Sequence, residues 1–200
     1  MLIAGLTGGM ACGKSVVARE LRDLGCCIIE ADEIGHEVMK PGGSAYEPIV
    51  AAFGKDSLHE DGSINRSVLA DRVFGDSAEL ARLNAIVHPA VREEEKRRIR
   101  EIAARDPDAI VVHVAAILIE SGVYKEVDKI IVVTCTRQQQ IERAMLRPGA
   151  KEAGILARLE HQMPLEKKAA FADYLIDASG TEADTVRQTK IVWEDLKRQA

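Results

Sequence analysis

Eight residues near the start of the chain, Gly8-Gly9-Met10-Ala11-Cys12-Gly13-Lys14-Ser15, fit the spacing G-x-x-x-x-G-K-[ST] of a phosphate-binding loop. Backbone N–H groups of such a loop face phosphate oxygens, and the helix that follows turns its positive end to the same charge. Lys14 is spaced to reach the β- and γ-phosphates, and the Ser15 hydroxyl to ligate Mg²⁺. A lysine at a helix start meets an unfavourable dipole and has no packing reason to be there, so an anionic ligand is the simplest account of it. Gly8 to Val16 are therefore read as the contacts to a nucleoside triphosphate, ATP with Mg²⁺, with Ser15 the metal ligand. Cys12 lies within the loop, where a helix dipole favours thiolate, although a small residue that merely fits would look the same.

Elements able to position that loop are legible around it. The apolar stretch Leu2-Ile3-Ala4-Gly5-Leu6 reads as the strand that delivers the chain to the glycines. Val16, Val17, Leu21 and Leu24 form the apolar face of the following helix, and Gly25 is its expected stop. Further strands are expected at Cys26 to Ile29, Ala109 to Val114, Lys129 to Val133 and Tyr174 to Asp177. Helical patterns run over Arg137 to Arg147, Lys151 to Gln162 and Glu182 to Arg198, with Pro148-Gly149 breaking the first from the second. Pro89 suits the first turn of a long helix running through Glu93 to Arg98. Short buried strands between helical blocks imply a parallel sheet covered on both faces, with ligands at the carboxyl ends of the strands. The block from about Ile34 to Arg105 lacks a convincing strand and reads as a helical insertion over that rim.

Composition narrows the class. A chain of 200 residues with 46% apolar content can bury one substantial core. A net charge of −5 disfavours nucleic acid and anionic membrane as main partners, both of which need broad basic surface. Four cysteines without a C-x-x-C suggest a reducing, cytoplasmic setting. The apolar start is short, lacks a basic flank and enters the loop directly, so it reads as neither signal peptide nor membrane span.

Beyond the loop, the order of several motifs resembles the dephospho-coenzyme A kinase family. The motifs are Leu6-Thr7-Gly8-Gly9 with the loop, Ala31-Asp32-Glu33-Ile34, the Asp61 to Arg66 turn with Leu69 and Phe74, and Leu83 to Pro89. Ile117 to Glu120, Gln140-Ile141 with Arg143 and Arg147, Gln162, and Ala172 to Asp177 continue the series over nearly the whole chain. The sequence departs from the family's usual pattern at Glu30, Ala116, Pro148 and Ala178, and at Cys12, where a small residue such as serine is commoner. The resemblance implies a P-loop NTPase fold of three α/β/α layers around a parallel sheet, as one domain over 1–200. Its core would span about 1–33, 106–136 and 170–200, its helical substrate-binding insertion about 34–105 and its helical lid about 137–165.

It also implies ATP-dependent phosphorylation of the ribose 3′-hydroxyl of dephospho-CoA, the last step of coenzyme A synthesis, by a monomer or small homo-oligomer. Asp32 then accepts or orients the proton of the acceptor hydroxyl, although its place after a strand also suits an N-cap. Arg143 and Arg147, four apart on one expected helix face, become lid residues that complete the catalytic set with Lys14, and Arg158 is a weaker third. Thr7, His36, Arg66 and His88 join Asp32 as acceptor contacts, with surface roles as the plain alternative for the two histidines. Glu120 either faces the acceptor pocket or caps the next segment. Two other functions remain open on the sequence: another P-loop kinase for a nucleotide or small metabolite, and a binding protein that has lost catalysis.

Overall fold

The computed structural model describes residues 1–73 and 75–200; Phe74, one of the motif positions, lies outside them. In chain order the elements are β1 (Leu2–Gly8), α1 (Lys14–Asp23), β2 (Cys27–Glu30), α2 (Ala31–Val38), α3 (Tyr46–Phe53) and α4 (Arg66–Val73). They continue with α5 (Ser77–Arg105), β3 (Ile110–Val114), β4 (Lys129–Thr134), α6 (Arg137–Met145), α7 (Glu152–His161), α8 (Leu165–Ala169), β5 (Tyr174–Asp177) and α9 (Glu182–Gln199). The chain divides into two compact units, Met1–Ile29 with Ile102–Ala200, and Glu30–Glu101.

The first unit holds a five-stranded sheet of order β2-β3-β1-β4-β5. β1 lies between β3 and β4, parallel to both, and β4 pairs in parallel with β5. This is the α/β architecture expected from the strand spacing. Apolar runs such as Ile130 to Val133 are buried because helices cover the sheet, which is why these strands do not alternate in polarity. Leu6, Val17, Leu21, Val112, Ile131, Val133, Ile176 and Leu196 form the main core, and α1 packs on α9. Each such side chain contributes roughly 1.5–3 kcal/mol by leaving water.

Local signals fix where the helices begin and end. α1 stops at Gly25, whose φ of 96° is left-handed; its N–H donates to Arg22 O (3.0 Å) while Cys26 N–H donates to Leu21 O (2.9 Å). That pair of bonds satisfies carbonyls the helix would otherwise leave open. α6 and α9 each start with a reciprocal capping box, Thr136 with Gln139 and Thr181 with Asp184.

The second unit is built from helices, a short 3₁₀ turn at Lys55–Ser57 and an isolated antiparallel bridge between Leu58 and Ile64. Ile34, Ile49, Phe53 and Leu69 are buried. The Arg72 and Arg82 guanidinium groups lie 5.5 and 5.6 Å from the centre of the Phe53 ring, and Arg72 Nη1 also donates to Phe53 O (2.7 Å). Arg98 on α5 pairs with Glu94 of its own helix and with Glu37 of α2.

Two expectations fail. Pro89 is not in a first turn: α5 already begins at Ser77, where Asp76 Oδ1 accepts from the N–H groups of Ala78 (2.9 Å) and Glu79 (3.1 Å). That upstream cap is a stronger start than a proline, whose missing N–H costs a helix this long one bond of its ladder. Arg147 does not share a helix with Arg143, because α6 ends at Met145 with Leu146 as its cap. Pro148 disfavours helical backbone at Arg147, and Gly149 turns the chain with φ 72°. One short helix, α8, lies where no helix was expected.

Candidate active site

β1 ends at Gly8, where an added Cβ would sit 2.4 Å from Val133 O, so only glycine lets the loop leave this close to the β4 backbone. A Cβ on Gly9 would lie 2.1 Å from Gln140 Nε2 and 2.8 Å from Cys12 Sγ. Gly13, at φ 93°, caps the start of α1, and Ala11 holds a left-handed φ of 56° without being glycine. Backbone of that kind costs on the order of 1–3 kcal/mol and persists where the surroundings enforce it. Here the enforcement comes from the segment after β4. Buried Gln140 on α6 donates through Nε2 to Met10 O (3.0 Å), and Gln162, just past α7, accepts the Met10 N–H on Oε1 (3.1 Å).

Lys14 Nζ donates to Gly8 O (3.2 Å) and Gly9 O (2.9 Å), which sets a positive charge across the mouth of the loop. Ser15 is exposed on the first turn of α1. Beside it opens a cleft of about 220 Å³ lined by Gly13, Val16, Arg143, Ala178, Gly180, Glu182 and Thr185. Arg143 is anchored there by Nη2 donating to Ala178 O (2.8 Å). The arrangement offers backbone amides, a helix N-terminus and a lysine for phosphate, next to a cleft with both polar and apolar lining residues.

Beneath the loop, Cys12 is fully buried, and the Cys135 thiol donates to its sulfur at 3.1 Å. That hydrogen bond, helped by the Lys14 charge and opposed by burial, draws the Cys12 pKa down to about 7. The same bond and burial push the Cys135 thiol well up. Cys26 is different: burial raises its thiol to about 11.

The remaining predicted residues fall in separate places. Thr7 is buried at the end of β1, its hydroxyl donating to Ala116 O (3.4 Å). Glu120 receives a salt bridge from the wholly buried Lys168 (2.9 Å) and the Met163 N–H (3.1 Å), while Lys168 also donates to Ala116 O (2.7 Å). Burial opposes ionisation of Glu120, but the Lys168 ammonium and the backbone donors outweigh it and hold its carboxyl below the ordinary range. Arg147 is exposed in the turn after α6, its N–H donating to Ala144 O (3.2 Å). Asp32, His36, Arg66 and His88 are exposed in the second unit, on α2, α2, α4 and α5. Asp32 is not the cap of α2, a position Glu30 takes; it lies within the first turn, where a negative charge suits the dipole.

Sequence reasoning missed Gly180, Glu182 and Thr185 as cleft residues and Lys168 as the partner of Glu120. Gln140 and Gln162 stand among the family-like motifs with no role legible from sequence. A buried lysine in a helix-like segment is a signal only once its carboxylate is known.

The donor set also bears on a metal. No group of three or more His, Cys, Asp and Glu able to hold a metal occurs among the described residues. Mg²⁺ needs none, since it is commonly bound by one or two protein oxygens together with substrate phosphates and water, and the exposed Ser15 hydroxyl fits that use. Nor is any helix of the described residues long and apolar enough to cross a membrane.

Comparison with known proteins places this geometry in context. Residues 2–184 match the dephospho-CoA kinase family. A curated dephospho-CoA kinase of Geobacter sulfurreducens is 42% identical over 193 residues, covering 96% of this chain and 98% of that protein. A solved Thermus thermophilus structure superposes with a TM-score of 0.82 at 29% identity, covering 98% and 97% of the two chains. The solved dephospho-CoA kinase of Campylobacter jejuni gives 0.75 at 25% identity, with 98% of each chain covered.

Proposed function

The chain belongs to the dephospho-CoA kinase family, and on that premise we propose that it transfers the γ-phosphoryl group of ATP to the ribose 3′-hydroxyl of dephospho-CoA, giving CoA and ADP. The observation that carries the reading furthest is Lys14 held across the mouth of a glycine loop beside the cleft lined by Arg143. Phosphoryl transfer requires in-line placement and neutralisation of charge on the moving group more than covalent help. Lys14 and the amides from Gly9 to Ser15 hold the β- and γ-phosphates. Arg143, with Arg147 from the neighbouring turn, adds positive charge on the lid side.

Ser15 supplies the protein oxygen for Mg²⁺, which, when bound with ATP, neutralises phosphate charge. Asp32 accepts the proton of the acceptor hydroxyl, a role that rests on its matching the family motif Ala31-Asp32-Glu33-Ile34. His36, Arg66 and His88, on the helical block of about 34–105, bind the acceptor, with Arg66 toward its phosphates. Glu120, in the turn that follows β3, serves the acceptor as a carboxylate whose position Lys168 fixes, and Thr7, buried at the end of β1, serves it from beneath through its bond to Ala116 O.

Release of ADP, measured with dephospho-CoA, AMP, CMP and gluconate as acceptors, tests this reading. Dephospho-CoA alone should support rapid turnover, with phosphorus NMR of the product showing a new 3′-phosphate. Preference for another acceptor, or ATP binding without acceptor-dependent ADP, would overturn it.

A further inference from the structure

We propose that Cys12 and Cys135 are a redox modification site: hydrogen peroxide joins them in a reversible disulfide that fixes the phosphate loop to the β4–α6 corner and switches nucleotide binding off. The two residues are 123 positions apart in sequence, yet their sulfurs already lie 3.1 Å from each other. Bond formation at about 2.05 Å asks the sulfurs to approach by roughly one ångström. Cys12 sits in the loop between Gly9 and Gly13, and Cys135 between the last residue of β4 and the cap of α6. The bond would therefore tie together two segments that both serve the phosphate site.

The S–H···S contact also keeps a thiolate within the pair. One proton is shared along the S–H···S contact, and Lys14 on one side and Arg143 on the other favour the thiolate, against burial and the Asp177 charge. Cys12, the more acidic of the two, has no exposed surface, whereas Cys135 is partly exposed, so peroxide is met by the minor form of the pair, in which the Cys135 proton has moved along the contact to Cys12. Cys135 sulfur attacks one oxygen of the peroxide; the S–O bond forms, the O–O bond breaks, and the departing hydroxide leaves as water once protonated. Cys12, losing its proton to that hydroxide, then attacks the sulfenic sulfur; the S–S bond forms, the S–O bond breaks, and the second hydroxide takes up a proton from solvent and leaves as water. Two thiols and one peroxide give one disulfide and two waters. Cys26 and Cys27 offer no such pair, being adjacent in sequence with the Cys26 thiol held high by burial.

Peroxide treatment of the full chain, free of reductant, tests the site. Non-reducing peptide mapping should find Cys12 joined to Cys135, and thiol titration in denaturant should fall from four to two per chain. ATP binding and ADP release should weaken together, ADP release by up to about 100-fold at full oxidation, since a misplacement of one ångström at a reacting centre has that reach. Dithiothreitol should restore both. Cys135→Ser, and Cys135→Ala as a second variant, should keep basal turnover, form no such linkage and show no loss that dithiothreitol reverses. Linkage elsewhere or none at all, a Cys12–Cys135 bond with ATP binding unchanged, or reversible inactivation of both variants would each overturn the proposal. Linkage and ATP binding are read without the acceptor, so a failure of the kinase reading would leave this test intact.

Discussion

Asp32 and Lys168 are charged residues of opposite visibility. Asp32 is exposed in the first turn of α2 with no capping duty, so its removal carries little structural cost. Asp32→Asn should lower turnover by about 10²–10⁴-fold, the range for a general base, while ATP affinity stays near that of the parent. Near-parental turnover would end its assignment as base. Lys168 is wholly buried against Glu120 and Ala116 O, and a single substitution strands its partner. Breaking a buried pair costs about 3–5 kcal/mol, less here because Glu120 keeps some contact with water. Glu120 has a folded pKa below its ordinary value of 4.5, so the pair's contribution is complete above that value and fades as pH falls through the lower, folded one. Lys168→Met should therefore reduce stability in urea titrations at pH 7, with a difference from the parent that shrinks as pH falls below 4.5. A difference independent of pH would mean that lost packing, not the ion pair, dominates.

At the scale of elements, the loop is shaped by α6 and the turn after α7 as much as by its own glycines. Gly9 is confined by Gln140 Nε2, and that amide is in turn held by Met10 O. Gly9→Ala should weaken ATP binding by roughly tenfold or more, and Gln140→Ala added to it should recover part of the loss through a non-additive coupling of about 0.5–3 kcal/mol. Full additivity by calorimetry would deny the clash. What was legible from sequence follows the same division between local and distant causes. The strand entering the loop, the stop at Gly25 and the expected strands all follow from spacing within a few residues, and each is found. The Pro89 misreading came from weighing a proline above the Asp76 cap upstream of it. Arg147 was misplaced although the local rule against helix before Pro148 was available. Gly180, Glu182 and Thr185 reach Gly13 and Val16 only because α9 packs on α1, a contact between chain ends that no local pattern records.

For the whole molecule, strand order puts β1 between β3 and β4, so that the glycine loop leaves the sheet at the point where connections run to opposite sides, the usual place for a ligand in such sheets. Every loop and cleft contact described for ATP, from Gly8 to Thr185, belongs to the unit formed by Met1–Ile29 and Ile102–Ala200. The proposed acceptor contacts His36, Arg66 and His88 belong to the other, Glu30–Glu101. Each unit has its own buried core, and of the proposed acceptor contacts only Thr7 and Glu120 lie in the sheet unit, so the acceptor should order the helical block in a way ATP does not. Hydrogen exchange separates the two effects. Mg-ATP at about 100 times its dissociation constant adds about 2.7 kcal/mol of stability, and its added local protection should concentrate in the loop, α6 and the start of α9. Dephospho-CoA, added alone, should protect amides within 30–101, with any protection in the sheet unit limited to the surroundings of Thr7 and Glu120. Protection by dephospho-CoA confined to the sheet unit would remove the acceptor role from the helical block and from His36, Arg66 and His88 with it, while leaving the nucleotide site as assigned.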